Sequence, residues 1–256
     1  MKKAILWALT FSFLTFSLFS QNKKGEEDLY RFIKKEVWGY ATLYGEVKIE
    51  PRYQYAGNFF EGLARVKSKN KWGFINKKGK WVIKAKYDFV YAFKEGLAPF
   101  KLNQKWGYIN KKGKEVIKAK YKIVGGFGGG LAWVSNHKNK RGYIDKEGNL
   151  VIPFQFDSAG DFWEEVAWVR LNDLYGYIDE KGKWIIKPLF ESVGNFSEGL
   201  AWVRMNKKFG YINKKGEYFL PPIFQKADNF NKGKAIVKYK NHFFYINKNK
   251  KISRYH

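Results

Sequence analysis

A 34-residue repeat is the feature of this sequence that most limits how the chain can fold. Its clearest markers are six glycines spaced 34 or 35 residues apart, namely Gly39, Gly73, Gly107, Gly142, Gly176 and Gly210. Columns of turn glycines, aromatic residues and phenylalanines keep the same phase. A unit this short cannot bury enough surface to fold alone, so the units must stack on one another.

The repeat phase also sets the domain limits. The register opens at Leu29 and gives about seven units, which start near residues 29, 63, 97, 131, 166, 200 and 234. We therefore predict one repeat domain over residues 29–256, preceded by a short polar lead-in at residues 21–28.

Residues 1–20 have a different character. Lys2 and Lys3 are followed by an uncharged stretch of apolar and small residues, which is the pattern of a secretory signal peptide. A retained membrane anchor is the alternative, but the stretch is shorter than the roughly 20 residues that a bilayer span needs. We expect an exported protein that is periplasmic, bound at the cell surface or secreted, with no transmembrane segment in the mature chain.

Each unit contains three short runs rich in aromatic and β-branched residues, which predict β-strands; in the second unit these are residues 63–67, 72–76 and 80–84. Asn76 and Gly79 predict a tight hairpin turn between the second and third runs. Both faces of the second run carry apolar side chains or glycine, so this strand should be covered on both sides.

The sequence thus predicts an all-β fold, a tandem array of about seven three-stranded β-meander repeats. An open or spiralling array is favoured, because propeller blades typically have about 40 residues and four strands. A closed, propeller-like ring is the alternative.

The segment KWGFINKKGKWVIKAKY at residues 71–87 resembles the consensus of the WG-repeat (KWG repeat) family of bacterial proteins, and residues 209–224 match it more weakly. The resemblance extends over nearly all of the chain after residue 20. The motif tryptophan is lost from the fourth unit onward, and Ala85 and Ala119 stand where the consensus has proline. The resemblance implies a repeat architecture without a shared catalytic activity.

The amino-acid composition excludes several kinds of functional site. The chain has no cysteine, which excludes disulfides, thiolate metal sites and thiol nucleophiles. Its three histidines, at 137, 242 and 256, match no metal spacing. We expect neither a metal nor a cofactor.

The acidic residues follow the repeat as well. Asp145 and Asp179 occupy the turn column and should cap turns, whereas the column Glu61, Glu95, Glu164 and Glu198 should supply loop caps or ion-pair partners. Equivalent residues in successive units do not converge on one reacting atom, as acid–base catalysis requires. We expect that the protein is not an enzyme.

The first strand of the unit holds one candidate binding surface. Trp133, Trp168 and Trp202 lie in one column, and Arg170 and Arg204 lie two residues farther on the same face. A face that accepts arginine is not deep core, so these tryptophans should be partly exposed. They form either a stacking platform for a sugar ring or acidic polymer, or a structural ladder of rings and arginine stems.

A second candidate surface is a basic ridge along the hairpin turns. It comprises Lys77, Lys78, Lys111, Lys112, Lys214 and Lys215. A row of lysines with a formal chain charge of +26 would attract polyanions; a solvated edge is the alternative.

These features favour a non-catalytic binding or scaffolding protein of the cell envelope, with a protein or an anionic polymer such as acidic polysaccharide as its partner. An extracellular nucleic-acid binder and an envelope enzyme accessory are the alternatives, since charge and aromatic residues also suit nucleic acid. The predicted export makes nucleic acid an improbable partner.

Overall fold

The computed structural model describes residues 28–255, so the predicted signal peptide and most of the lead-in lie outside the described residues. This part of the chain is built from antiparallel β-strands, with no helix among the described elements. The strands form seven sheets that follow one another along the chain, numbered sheet 1 to sheet 7 here.

The first four sheets span residues 30–156. Sheet 1 contains β1 (Tyr30–Lys34), β2 (Val37–Ala41) and β3 (Val47–Tyr53). Sheet 2 contains β4 (Tyr55–Phe60), β5 (Leu63–Ser68), β6 (Lys71–Asn76) and β7 (Trp81–Tyr87). Sheet 3 contains β8 (Phe89–Val90), β9 (Leu97–Leu102), β10 (Lys105–Asn110) and β11 (Glu115–Tyr121). Sheet 4 contains β12 (Ala132–Ser135), β13 (Arg141–Ile144) and β14 (Leu150–Phe156).

The last three sheets span residues 158–254. Sheet 5 contains β15 (Ser158–Ala159), β16 (Ala167–Leu171), β17 (Leu174–Ile178) and β18 (Trp184–Phe190). Sheet 6 contains β19 (Ser192–Val193), β20 (Leu200–Met205), β21 (Lys208–Asn213) and β22 (Tyr218–Phe224). Sheet 7 contains β23 (Lys226–Ala227), β24 (Lys234–Tyr239), β25 (His242–Asn247) and β26 (Ile252–Arg254).

The prediction of an all-β array of small antiparallel sheets is confirmed, with one addition to the unit. Five of the seven sheets have a fourth strand, which comes from the end of the preceding 34-residue unit. This strand is only two residues long in most sheets, too short to show an alternating pattern. In sheet 4 it is reduced to a single bridge between Val124 and Val134. Sheets 2 to 7 therefore cross a repeat boundary.

The hairpin turn and the central strand have the predicted local structure. The side-chain oxygen of Asn76 accepts hydrogen bonds from the backbone N–H groups of Lys78 and Lys80, both at 3.0 Å, and Gly79 has a φ of +72°. At Gly73 a Cβ atom would overlap the carbonyl oxygen of Ile83 on the paired strand β7. The glycine column is therefore required by a close backbone approach.

The core consists of six hydrophobic clusters, and each cluster joins two consecutive sheets. Between sheets 2 and 3, for example, Trp72 and Phe74 pack against Val90 and Phe100. Buried tyrosines reinforce the stacking, because a hydroxyl on one sheet donates to the backbone that leads into the next, as from Tyr177 to the Gly194 carbonyl at 2.6 Å. Both faces of an inner sheet are thus covered by its neighbours.

The two end sheets show that the array is open. Phe243 in sheet 7 is 43% exposed, whereas Trp72, its equivalent in sheet 2, is 7% exposed. Tyr30 in sheet 1 is 51% exposed, whereas its equivalent Ala64 is fully buried. The end faces do not cover each other, and the open array that the sequence favoured over a closed ring is confirmed.

Across residues 28–255 there is no helix long and apolar enough to cross a membrane.

Candidate functional site

The three predicted tryptophans occupy equivalent places on β12, β16 and β20, where each is half-buried. Each indole ring lies against a backbone glycine at the end of the preceding unit. The glycines are Gly125, Gly160 and Gly194, and a Cβ atom on any of them would overlap the indole. The partial exposure predicted for these rings agrees with the structure, and the glycine column explains how they fit.

These tryptophans pack within their own sheets rather than on one another. Trp168 contacts Tyr175 with ring centroids 5.7 Å apart, and Trp202 contacts Phe209 at 5.5 Å. Trp133 is covered by the guanidinium of Arg141, at 4.1 Å from the ring centroid. No ring contact joins two of the three tryptophans in the described residues.

Arg170 and Arg204 follow Trp168 and Trp202 by two residues on β16 and β20, and Arg204 lies 5.7 Å from the Phe209 ring that contacts Trp202. Arg170 Nη1 is 3.7 Å from Asp173 Oδ1, and Arg204 Nε is 3.6 Å from Glu191 Oε2. The Nε atom of each arginine is buried and makes no hydrogen bond. In both sheets the guanidinium is therefore held by a weak ion pair at the edge of an aromatic surface.

The predicted basic ridge divides into two kinds of lysine. Lys111 pairs with Glu61 at 2.9 Å, and Lys214 pairs with Glu164 at 3.7 Å. Lys77, the first lysine of its turn, is half-buried and also has an interaction partner. The second lysines of the turns are exposed; they are Lys78, Lys112 and Lys215. The second lysines therefore form the part of the ridge for which the structure gives no ion pair.

The glutamates that pair with these lysines form a latch between successive sheets, as the sequence predicted. Glu95, for example, accepts a hydrogen bond from the Gly130 N–H at 3.0 Å and lies 3.1 Å from Lys146 Nζ. Equivalent latches begin at Glu61, Glu164 and Glu198. The latch is absent at Gly129, where Glu180 occupies the lysine column and approaches the glycine backbone.

Asp145 and Asp179 cap their own turns. The side-chain oxygen of Asp145 accepts the N–H of Asn149 at 2.8 Å, and that of Asp179 accepts the N–H of Lys183 at 2.8 Å. The described residues contain no group of three or more histidines and carboxylates arranged to hold a metal ion.

A second aromatic surface, in sheets 1 to 3, was missed by the sequence reasoning. Trp38, Tyr55, Trp72, Phe89 and Trp106 form a chain of ring contacts with successive centroid distances of 6.2, 5.1, 4.9 and 6.0 Å. We call these five residues the aromatic chain. The alternation of two aromatic columns was visible in the sequence, but the link between them depends on the short fourth strand.

Arginines cover the aromatic chain. Arg31 lies 5.3 Å from the Trp38 ring centroid and donates to the Ala56 carbonyl at 3.1 Å. Arg65 lies 5.4 Å from the Trp72 ring and donates to the Val90 carbonyl at 2.9 Å. Each arginine thus joins an indole of one sheet to the backbone of the next.

A half-buried carboxylate, also missed, lies in the loop before β16, next to the glycine-rich loop of residues 125–130. Asp161 Oδ2 is 3.7 Å from Lys94 Nζ. Burial raises the pKa of Asp161 above its usual value, while Lys94 and hydrogen bonds from the Trp133 side chain and the Gly126 backbone oppose the rise. Other sheets have asparagine, alanine or glycine in this column, so no repeated pattern pointed to it.

Comparisons with known proteins fit the repeat. A family model described as "WG containing repeat" matches six consecutive segments, at residues 38–72, 72–106, 106–140, 142–175, 175–209 and 209–241. No significant relative was found among curated protein sequences.

Several solved structures have a similar fold. The computationally designed Ika8 protein has a TM-score of 0.51 and 8% identity, over 90% of this chain and 87% of that chain. BamB from Moraxella catarrhalis has a TM-score of 0.50 and 10% identity, over 90% and 88%. The dihydro-heme d1 dehydrogenase NirN has a TM-score of 0.52 and 12% identity, over 89% of this chain but 63% of its own. At these identities the similarity concerns the fold alone.

Proposed function

Since the chain belongs to the family of proteins with WG-containing repeats, we propose that it uses its stacked sheets as a non-catalytic binding module for an anionic polymer, such as an acidic polysaccharide. The leader-like pattern of residues 1–20 supports a place for this activity in the cell envelope or outside the cell.

The observation that carries the proposal is the way the charges are arranged. Many acidic side chains of the described residues are used inside the array, where they cap turns or bind lysines of a neighbouring sheet; Asp88, for example, accepts from both Lys71 and the Asn103 N–H. The many remaining lysines are exposed on turns and outer strands. The excess of lysine and arginine over acidic residues is therefore presented outward along the described sheets.

The Trp and Arg positions of sheets 5 and 6 give this field a specific contact surface. Trp168 and Arg170 in one sheet are repeated as Trp202 and Arg204 in the next. A half-exposed indole stacks on the apolar face of a sugar, and a guanidinium binds carboxylate or sulfate in a bidentate manner. A repeated pair of this kind suits a polymer with repeated acidic units.

The same geometry argues against catalysis as the role. The glutamates of the latch recur at equivalent positions of successive units, and Asp145 and Asp179 accept backbone N–H groups of their own turns. Acid–base chemistry needs two such groups near one reacting atom.

Affinity for heparin, measured as a function of salt, tests the proposal. We expect Arg170→Gln with Arg204→Gln to reduce the slope of log K against log salt by about 1 to 2, by analogy with the loss of two phosphate contacts in nucleic-acid binding. The matched control is Lys183→Gln with Lys187→Gln, two exposed lysines of sheet 5, which removes the same charge and should change the slope less.

Three outcomes would contradict the proposal. Equal effects of the two double variants would show that charge alone binds heparin. Tighter binding of single-stranded DNA than of heparin at the same salt would favour a nucleic-acid partner. Failure to bind either polymer would favour a protein partner.

A further inference from the structure

The junction between sheets 3 and 4 contains an open groove of about 510 Å³. We call it the cationic groove. Its lining includes Lys105, Lys120, Lys122 and His137, together with the rings of Tyr121 and Phe154. No acidic residue is among its lining residues. Three departures from the repeat coincide here.

The first departure is an extra residue in the turn between β12 and β13. In the other sheets this turn has two residues with positive φ, such as Asn103 and Gln104 at 48° and 63°. In sheet 4 the turn is longer: the Asn136 side-chain oxygen accepts from the Lys140 N–H at 3.0 Å, and Asn139 has a φ of 61°. Asn136 and His137 of this longer turn line the groove.

The second departure is a reversal of charge. Lys71 of sheet 2 binds Asp88 at 2.7 Å, and Lys140 of sheet 4 binds Asp157 at 2.5 Å. Lys105 is equivalent to these lysines, but the position of its acidic partner holds Lys122. Two ammonium groups therefore line the groove where neighbouring sheets form an ion pair.

The third departure is the loss of a long side chain. Ser135 occupies the column that holds Lys101 in sheet 3 and Arg170 in sheet 5. Its side chain is short and buried, with 3% of the residue exposed. The space that an arginine or lysine stem fills in other sheets is left to the groove.

Together these changes create a concave site with positive charge and no internal counter-charge. Lys122 Nζ is 2.7 Å from Asn139 Oδ1, a neutral acceptor that leaves its charge uncompensated. Like charges in one pocket favour the binding of an anion between them. The Tyr121 and Phe154 rings add an apolar wall suited to a sugar ring.

We propose that the cationic groove binds a phosphate or sulfate ester of a sugar, with the ester oxygens at the lysines and the ring against Tyr121 and Phe154. The site uses residues other than the Trp and Arg positions of sheets 5 and 6. Its test is therefore independent of the proposed polymer binding.

Calorimetric titration of the protein with glucose 6-phosphate, glucose 6-sulfate, glucose and inorganic phosphate tests this site. We expect Lys105→Gln, Lys120→Gln and Lys122→Gln combined to weaken binding of the preferred ester at least tenfold. The control combines Lys183→Gln, Lys187→Gln and Lys208→Gln, three exposed lysines of later sheets, and should bind as the unaltered protein does. The ester that binds more tightly shows whether the groove prefers phosphate or sulfate.

A second variant, Ser135→Arg, restores the long side chain of the repeat and should also abolish binding by filling the groove. Circular dichroism checks that each variant is folded, and the lysine variant decides the matter if Ser135→Arg is not. Unchanged ester affinity in the lysine variant, or equal affinity for glucose, would overturn the proposal. Inorganic phosphate binding as tightly as glucose 6-phosphate would overturn its sugar component.

Discussion

Sheets 1, 2 and 4 each contain a contact between an arginine and a tryptophan, but in sheet 4 the two residues have exchanged strands. In sheets 1 and 2 the arginine is on the first long strand and the tryptophan is on the next, as Arg65 and Trp72. In sheet 4 the order is reversed, and Trp133 is on the first strand with Arg141 on the second. In each case the guanidinium covers the indole and donates to the same carbonyl column of the following sheet, Val90 for Arg65 and Ala159 for Arg141.

The exchange shows that the repeat preserves a contact rather than a residue at a position. A tryptophan on the first strand requires a glycine opposite, which Gly125 supplies, whereas Arg65 faces Gly57 with a flexible stem. The aromatic chain ends at Trp106, because the later sheets have Ile123, Ser158 and Ser192 in place of Tyr55 and Phe89. Trp168 and Trp202 consequently contact one ring each, within their own sheets.

Removing a tryptophan from each region should give the largest difference. Trp72→Ala removes a ring that is 7% exposed and contacts Tyr55 and Phe89, so we expect a loss of about 3–5 kcal/mol in the free energy of unfolding. Trp168→Ala removes a half-exposed ring and should cost roughly half as much. Chemical denaturation measures both, and equal losses would contradict the distinction between the regions.

The next largest difference should be in the stability cost of replacing the glycines that face these side chains. Gly160→Ala places a Cβ atom in the Trp168 indole and should cost about 1–3 kcal/mol through overpacking. Gly57→Ala meets the flexible stem of Arg65 and should cost less. Adding Trp168→Arg to Gly160→Ala should recover part of the loss in thermal denaturation. Absence of recovery would show that the glycine column serves something other than the indole.

Exchanging the pair in sheet 4 tests the central point directly. Trp133→Arg and Arg141→Trp each remove the cation–π contact, whereas the combined variant restores the order found in sheet 2. We expect a favourable coupling of about 0.5–1 kcal/mol in a double-mutant cycle. If the losses of the two single variants simply add in the combined variant, the contact is not what the repeat preserves.

The smallest effect concerns the pH dependence of stability, and it should be the same at Asp88, after sheet 2, and at Asp157, after sheet 4. Hydrogen bonds from Lys71 and from Lys140 lower the pKa values of Asp88 and Asp157 below the ordinary value. A lowered pKa in the folded state adds stability above the unfolded value of about 3.9, and this stability is lost as the pH falls through the folded value. Asp88→Asn and Asp157→Asn should each flatten the acid side of a melting-temperature profile to a similar extent. An effect confined to one region would show that the two caps are not equivalent.

The parts of the fold that repeat could be predicted from the sequence. The hairpin at Asn76 and Gly79, the doubly covered strand with Gly73 and the stacking of the units follow from columns that keep one phase. The open array was favoured because the unit is shorter than a typical propeller blade, and the exposed end sheets decided against the closed ring. The fourth strand could not be predicted, because two residues such as Phe89 and Val90 carry no periodicity and pair across a unit boundary. The aromatic chain was missed for the same reason.

The candidate sites were predictable in part. The column of Trp133, Trp168 and Trp202 gave the half-exposed rings, and the glutamate column gave the latches. That Lys111 and Lys214 are neutralised within the array depends on contacts between units, which spacing alone does not show. The cationic groove arises from departures at Lys122 and Ser135, whose effect is seen only when the sheets are paired.

The open ends of the stack have a consequence for how such a chain can change over generations. A ring must close with a fixed number of blades, so gaining or losing one strains every other junction. Here each hydrophobic cluster joins two consecutive sheets only, and a duplicated or deleted segment of 34 residues leaves the other clusters as they were. The length of the protein, and with it the reach of any ligand it spans, is therefore free to vary by whole units through ordinary gene duplication and loss.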